Sequence, residues 1–322
     1  MQFFTKNSEI TENTPKRSVS ELKDVTHRFG LGMLVLMINS VLAPFFFSFI
    51  IFVLIGVTQD ESDAYYIMLM LLNEISAYTF PLIVLTAMFR KDCASFIPQT
   101  QYARKPLESV ILFLAGVSAG SLGTLLTQLI NRVIDRIFGT GEIPEAFEGM
   151  TPANAPQFAF FAVCICIIAP VCEEYIFREL LLRPMRKFGD FAAALTSGLV
   201  FGLYHANFDQ FAYAALLGFF YAVIAIRRNS IVPTIILHAL NNFIVTFSNY
   251  SPTENTFTGV ISTISTFMFP AGLVAIIAAL IMGLLKFGKD ASAPRGRECA
   301  AIILKNPAFL IGLAAMLAGF FI

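Results

Sequence analysis

The chain has 322 residues, of which 57% are hydrophobic and only 14% are charged. A soluble globular domain averages about 25% charged residues, so this composition is typical of a membrane protein and argues against an ordinary soluble domain. The 22 basic and 22 acidic residues cancel. The chain therefore has no net positive field of the kind that binds nucleic acid, and we expect no nucleic-acid partner.

The chain begins with a polar, basic stretch at residues 1–28, with no apolar core and cleavage site of a signal peptide. We expect this stretch to be a cytoplasmic N-terminal segment and residues 29–322 to form a single transmembrane domain. That domain contains eight apolar runs long enough to cross a bilayer as helices. The predicted spans are 30–57, 64–89, 107–131, 156–183, 191–206, 210–226, 231–249 and 258–285. A ninth run, 301–322, is interrupted by Lys-Asn-Pro and either crosses fully or stops short.

Basic residues alternate between the loops and predict an orientation. Arg90 and Lys91 follow the second span, Arg183 ends the fourth, and Arg227 and Arg228 follow the sixth. The first and third of the intervening loops are acidic around TQDESDA and GTGEIPEAFEGMTPANA, and the fifth and seventh have no basic residue. Cytoplasmic loops carry the excess of Lys and Arg in membrane proteins. We therefore expect an all-α, polytopic helix bundle of about eight transmembrane helices, with a ninth as an open alternative, in a lipid bilayer with the N-terminus in the cytoplasm.

The fourth span contains charged residues in the stretch PVCEEYIFRE. A charge inside the bilayer costs roughly 2.5–3.5 kcal/mol, so pairing or function must compensate it. Glu174 and Arg178 are four residues apart and can pair on one helical face. Glu173 lies about 100° round the helix and can face elsewhere. A purely structural interpretation, a buried ion pair beside a protonated glutamate, stays open at this point.

Two histidines lie in other predicted spans. His205 ends the fifth span, one helical turn after Phe201, and His238 lies in the seventh, one turn before Asn242. The third histidine, His27, lies in the polar N-terminal segment, where we expect a surface position. Polar groups in hydrocarbon need partners. We therefore expect the intramembrane groups to face one another or trapped water, between the cytoplasmic half and the middle of the membrane.

These residue types suit peptide hydrolysis. A carboxylate and a histidine that share a buried water can activate it for attack on a carbonyl carbon, and His238 with Asn242 could donate to the resulting oxyanion. Alternatively, Glu173, His205 and His238 could hold a zinc ion with one open position. The soluble-protease patterns HExxH and GxSxG do not occur.

Three short motifs together resemble those of a known family. The matching stretches are EEYIFR from Glu173 to Arg178 for EExxxR, Phe201 with His205 for FxxxH, and His238 with Asn242 for HxxxN. In this order on separate spans they resemble the CPBP family. That family comprises CAAX prenyl endopeptidases of the Ras-converting type and bacterial Abi, or bacteriocin-processing, relatives. The similarity covers about residues 156–245, which we expect to be the catalytic core.

The resemblance implies an all-helical intramembrane endopeptidase, either a metalloprotease or an enzyme with a metal-free glutamate mechanism. It also implies catalytic roles for six residues. These are Glu173 as the water-activating group, His205 as its partner, Glu174 and Arg178 as a supporting pair, and His238 and Asn242 as oxyanion donors or zinc-holding residues.

Short loops and small size are typical of a bacterial protein, so we expect the bacterial plasma membrane and a membrane-associated or lipid-modified peptide substrate. Two other functions remain open. Intramembrane Glu, His and Arg also form proton relays, so the chain could be an ion-coupled transporter. It could also be a non-catalytic bacteriocin-immunity protein with the same fold. The chain shows no inverted repeat with matched broken helices, and every motif position is filled.

Two features of the apolar spans predict contacts between helices. Glu74, in the second span, either bonds to another helix or contributes to a water-filled cavity. Gly198 and Gly202, with GxxxG spacing in the fifth span, would let a neighbouring helix pack closely.

Overall fold

A computed structural model describes residues 17–55, 63–92, 105–139, 151–288, 293–294 and 296–321. Within these ranges every regular element is helical, which confirms the predicted all-α class. The helices are α1 Val19–Ile55, α2 Asp63–Phe89, α3 Pro106–Phe138, α4 Ala155–Phe188, α5 Asp190–Tyr204, α6 Phe208–Arg228, α7 Val232–Asn249, α8 Thr256–Ile281, α9 Gly296–Leu304 and α10 Pro307–Ala318. A short 3₁₀ turn, Gly319–Phe321, ends the described chain.

The described residues contain six helices long and apolar enough to cross a membrane: α1, α2, α3, α4, α6 and α8. The count reaches seven if α9 and α10, which meet at a 74° bend, form one broken span. The predicted spans 191–206 and 231–249 are present as α5 and α7, but these helices are not among the six. The predicted number of eight therefore stays a prediction. The bend between α9 and α10 falls at the Lys-Asn-Pro interruption of the ninth apolar run.

The N-terminal helix begins earlier than the predicted membrane domain. Helix α1 starts at Val19, so the end of the predicted segment 1–28 is helical, and His27 within it is exposed, as expected. Residues 1–16 lie outside the described part of the chain.

The basic loops meet on one face of the bundle. The ammonium of Lys187, at the end of α4, lies 3.0 Å from Glu21 on α1 and 3.3 Å from Asp92 after α2. Arg228, at the end of α6, lies 2.8 Å from Glu108 at the start of α3. These contacts join helix ends, which must therefore lie on the same side of the bundle, as the alternation of basic loops predicts. Which compartment this face meets stays a prediction.

Helix α4 is irregular around the two glutamates. A π-helical segment, Cys164–Ile168, precedes the short α-helical stretch Ala169–Glu174, and a second π-helical segment, Tyr175–Leu182, follows it. Pro170 lies inside this helix, where proline lacks an N–H and its ring clashes with the preceding turn. The wider π turn before it accommodates the ring. Such π segments are frequent at functional sites.

Helix α4 lies against α2, α5 and α7, so three other helices can bring side chains to its glutamates. Helix α3 packs against α6 and α8, and α1 packs against α2 and α10. The candidate site therefore lies where four helices meet.

The close packing predicted for the GxxxG pair is confirmed. A Cβ added at Gly198 would lie 2.7 Å from the carbonyl oxygen of Ala215, and one added at Gly202 would lie 2.6 Å from the Ala215 Cβ. Ala215 belongs to α6, so the two glycines allow the backbones of α5 and α6 to approach.

Candidate active site

The predicted ion pair on α4 is present and fully buried. The Nε of Arg178 lies 3.1 Å from Oε2 of Glu174, and neither side chain has exposed surface. The guanidinium also lies 4.7 Å from the ring centroid of Phe201 and donates a 3.3 Å hydrogen bond to the hydroxyl of Ser197. Buried charges persist only when paired and further stabilised, and these contacts with α5 supply that stabilisation.

His238, on α7, lies between the two glutamates. Its Nδ1 is 3.1 Å from Oε1 of Glu174, and its Nε2 is 3.8 Å from Oε2 of Glu173. The ring of Tyr221 stacks on the imidazole with a centroid distance of 5.2 Å. The shorter contact fixes the imidazole, whereas 3.8 Å is too long for a direct hydrogen bond. A water molecule can bridge such a separation.

The second oxygen of Glu173 is held by a residue outside the motifs. The hydroxyl of Tyr78, on α2, donates a 2.8 Å hydrogen bond to Oε1 of Glu173, and the contact is buried. Sequence reasoning missed Tyr78. Its one signal is a position one helical turn after the intramembrane Glu74, and the sequence alone does not say that α2 packs against α4.

His205 follows the last residue of α5, in the same region but without direct contact to Glu173. Its Nδ1 donates a 2.8 Å hydrogen bond to the carbonyl of Phe201. In a neutral imidazole the other nitrogen, Nε2, is then a hydrogen-bond acceptor. The Phe201 ring lies against both imidazoles, with centroid distances of 5.0 Å to His205 and 5.8 Å to His238. Within the described residues, no hydrogen bond or ion pair joins His205 to Glu173. Its catalytic role stays a prediction.

Asn242 is anchored to α4 by a backbone contact. Its amide nitrogen donates a 2.9 Å hydrogen bond to the carbonyl of Ile165, in the first π-helical segment. The N–H of Ala169 bonds to Cys164, and the next N–H along that pattern is missing because residue 170 is proline. Asn242 therefore satisfies a carbonyl that the helix leaves open, and its second N–H remains for another acceptor.

Glu74 lies on the same face of α2 as Tyr78, four residues earlier. Its side chain is buried, and its Oε2 has no hydrogen-bond partner within the described part of the chain. It lies near enough to Glu173 for their charges to interact. The carboxyl group therefore borders the site, and the predicted bond to another helix is not seen for this oxygen.

The predicted zinc ligands are Glu173, His205 and His238. Among the described residues, no group of three or more His, Cys, Asp or Glu side chains could hold a metal ion. A catalytic zinc needs three protein ligands at about 2.0–2.3 Å from the ion. Glu173 and His238 are neighbours, and the Nδ1 of His205 donates to a backbone carbonyl, which leaves its Nε2 open as a ligand. The zinc ligand set therefore stays a prediction, and no step below runs through a metal.

Comparison with known proteins adds a family context. Residues 155–244 match the family model described as "Type II CAAX prenyl endopeptidase Rce1-like", nearly the range expected for the catalytic core. The chain is also 25% identical over 161 residues to a Bacillus subtilis (strain 168) protein named "Putative membrane peptidase YdiL". The aligned region makes up 49% of this chain and 66% of the length of that relative. No solved structure matches the chain significantly.

These matches confirm the resemblance to the CPBP family that the three motifs indicate. Together with the apolar helices, they identify an integral membrane protein.

Proposed function

We propose that this protein is an intramembrane endopeptidase that hydrolyses a peptide bond in a membrane-associated or lipid-modified peptide, with Glu173 as the base that activates water. One observation carries the proposal. An oxygen of Glu173 and a ring nitrogen of His238 face each other across 3.8 Å in a buried site. A carboxylate and an imidazole so placed can share one water molecule and direct it at a carbonyl carbon.

The chemical steps follow from these positions. As the water oxygen attacks the carbonyl carbon, its proton passes to Oε2 of Glu173. The carbonyl oxygen becomes an oxyanion that needs hydrogen-bond donors. The second N–H of Asn242 is one candidate donor, and His238 is another because both ring nitrogens donate in its protonated form. When the C–N bond breaks, Glu173 returns the proton to the leaving amine nitrogen, which leaves a carboxylic acid and an amine.

The buried ion pair orients the imidazole. Arg178 holds one oxygen of Glu174, and the other oxygen lies against Nδ1 of His238. The orientation of a histidine ring is fixed by the partner of its second nitrogen. In this scheme Glu174 and Arg178 act through His238, and His205 offers its free Nε2 as a second acceptor near the water.

We further propose that the protein lies in a bacterial plasma membrane with its N-terminus in the cytoplasm. The contacts among basic chain ends on one face support this orientation, since the cytoplasmic side carries the excess of Lys and Arg. The bacterial relative and the short loops support the location.

The test uses purified full-length protein in detergent with two probes, a farnesylated peptide ending in a CAAX sequence and an unlipidated apolar peptide of the same length. We expect new peptide termini by mass spectrometry with at least one probe. Glu173→Gln should lower the cleavage rate about 100- to 10,000-fold, the range of general acid–base catalysis. The matched control is Glu254→Gln, at an exposed glutamate, which should cleave at the wild-type rate.

Three results would contradict the proposal. Equal cleavage by wild type and Glu173→Gln would assign the activity elsewhere. Ion-driven uptake into vesicles by a chain that cleaves neither probe would support the transporter alternative, and tight peptide binding without cleavage would support a non-catalytic immunity protein.

A further inference from the structure

Tyr78 occupies a position that the family motifs do not cover. It lies on α2, outside residues 155–244, and only 8% of it is exposed. Its hydroxyl donates to Oε1 of Glu173 at 2.8 Å, while Oε2 of the same carboxylate faces His238. The two oxygens of Glu173 thus have separate surroundings, one bonded to α2 and the other directed into the site.

We propose that Tyr78 is a positioning residue, which holds the Glu173 carboxylate by one oxygen so that the other is aimed at the shared water. This inference rests on the proposed function. A glutamate side chain has several rotatable bonds, and the reacting oxygen must stay within a fraction of an ångström of its productive position. A hydrogen bond to the non-reacting oxygen removes that freedom.

Other side chains near Glu173 do not hold its carboxylate in this way. Within the described residues, Tyr78 is the side chain that donates a hydrogen bond to Glu173. Arg178 is paired with Glu174 instead. Tyr204 also lies near Glu173, but its hydroxyl makes no hydrogen bond to that carboxylate.

The backbone around Tyr78 is itself braced. Pro81 lies inside α2 and cannot donate to the carbonyl of Ala77, four residues earlier. Asn39, on α1, donates 3.1 Å hydrogen bonds to the carbonyls of Ala77 and Ser76. The carbonyl that proline would leave open is therefore satisfied directly beside Tyr78. A rigid support is what a positioning residue requires, because its own hydroxyl must not move.

The experiment compares Tyr78→Phe with Tyr204→Phe. Each variant deletes one phenolic oxygen near Glu173, but only the first deletes the hydrogen bond. Cleavage of whichever probe the wild type cleaves is measured over a range of concentrations. Rates are divided by the folded fraction from size-exclusion chromatography, so a partly unfolded preparation is compared at equal amounts of folded protein.

We expect Tyr78→Phe to lower kcat about 10- to 100-fold, the scale of a misplaced catalytic group, with KM within about twofold of wild type. Tyr204→Phe should keep both constants within about twofold. In the Glu173→Gln background, Tyr78→Phe should cause no further loss, because residues that act as a unit are not additive. If Tyr78 had a merely structural role, Tyr78→Phe would lower the cleavage rate by the same factor in the wild-type and the Glu173→Gln backgrounds.

The outcomes separate the two proposals. If the wild type cleaves a probe and Tyr78→Phe matches Tyr204→Phe in kcat, the positioning role is wrong and the peptidase assignment stands. An equal further loss in the Glu173→Gln background would also refute the positioning role. If the wild type cleaves neither probe, the proposed function itself fails.

Discussion

The Nδ1 of His238 and the Oε1 of Glu174 lie 3.1 Å apart, although 64 residues separate them in the chain. Through this contact α7 meets α4, and through Glu174 it continues to Arg178. The three side chains form a continuous polar chain in an otherwise apolar bundle. The same contacts hold the fold together locally and set the orientation of the imidazole, so their loss should affect stability and activity together.

Removal of Arg178 should destabilise the protein strongly. Arg178→Met leaves the buried carboxylate of Glu174 without its cation, and loss of one partner of a buried pair costs about 3–5 kcal/mol. We expect a lower midpoint of thermal unfolding in detergent. The double variant Glu174→Gln with Arg178→Met should recover part of that loss, because no uncompensated charge remains. A single variant as stable as wild type would show that the pair contributes nothing to folding.

An alanine at Gly198 should separate α5 from α6. The added Cβ would lie 2.7 Å from backbone atoms of Ala215 and Phe219, which cannot move aside as a flexible side chain would. Overpacking of this kind costs about 1–3 kcal/mol. The control is Gly259→Ala on α8, where no neighbouring atom lies within 4 Å of the added Cβ. That change should be neutral or slightly stabilising, because alanine favours helix over glycine. Equal unfolding midpoints for the two variants would contradict the close approach.

The ion cluster of Asp92 with Arg28 and Lys187 should make the stability of the protein depend on pH. Burial opposes ionisation, but the hydrogen bonds and charges of Arg28 and Lys187 outweigh it, so the pKa of Asp92 is lowered below its ordinary value of 3.8. A carboxyl with a lowered native pKa stabilises the fold above the unfolded value, and this contribution is lost as the pH falls through the native pKa.

Asp92→Asn should therefore lower the unfolding midpoint at pH 7 by about 2–4 °C, the shift expected for roughly 1 kcal/mol. The difference from wild type should narrow as the pH falls below about 4. The control is Asp24→Asn, because Asp24 is 63% exposed and pairs with the same Arg28. An exposed ion pair contributes little, so this change should leave the unfolding midpoint almost unchanged. A gap between wild type and Asp92→Asn that persists unchanged at pH 3 would refute the linkage.

Chelators should leave the proposed activity intact. The described side chains do not form a metal-holding group, so we expect the cleavage rate to stay within about twofold after dialysis against a strong chelator. Elemental analysis should find less than about one zinc per ten chains, where a catalytic zinc would need one per chain. Complete loss of cleavage with chelator, restored by added zinc, would instead show that Glu173, His205 and His238 close around an ion in the working enzyme.

Local features of the sequence predicted part of the site well. The Glu174–Arg178 pair follows from helical spacing. It forms although Arg178 lies in the second π-helical segment, because four residues are close to one full turn in either kind of helix. The break before Pro307 was visible in the interrupted apolar run, and the GxxxG spacing predicted a close helix pair. Each of these depends on residues within one or two turns of each other.

Contacts that depend on packing were not predictable. Tyr78 is 95 residues from Glu173, and nothing in the apolar pattern selects α2 as the neighbour of α4. The anchoring of Asn242 to Ile165 required the π-helical hydrogen-bond pattern before Pro170, which periodicity does not reveal. The fifth and seventh apolar runs were predicted as spans. Their helices have 15 and 18 residues, and helix length alone does not say whether they cross the bilayer.

Because α4 contains two π-helical segments, the positions of its side chains depend on the number of residues in each segment. Loss of a single residue from Tyr175–Leu182 could let this stretch close into a regular α-helix, at little cost in backbone hydrogen bonds. The same loss from the regular α-helical stretch Ala169–Glu174 would instead rotate everything downstream by about 100°, which would take Lys187 away from Asp92. Insertions and deletions in that stretch should therefore be far more damaging than substitutions on the lipid-facing side of the helix.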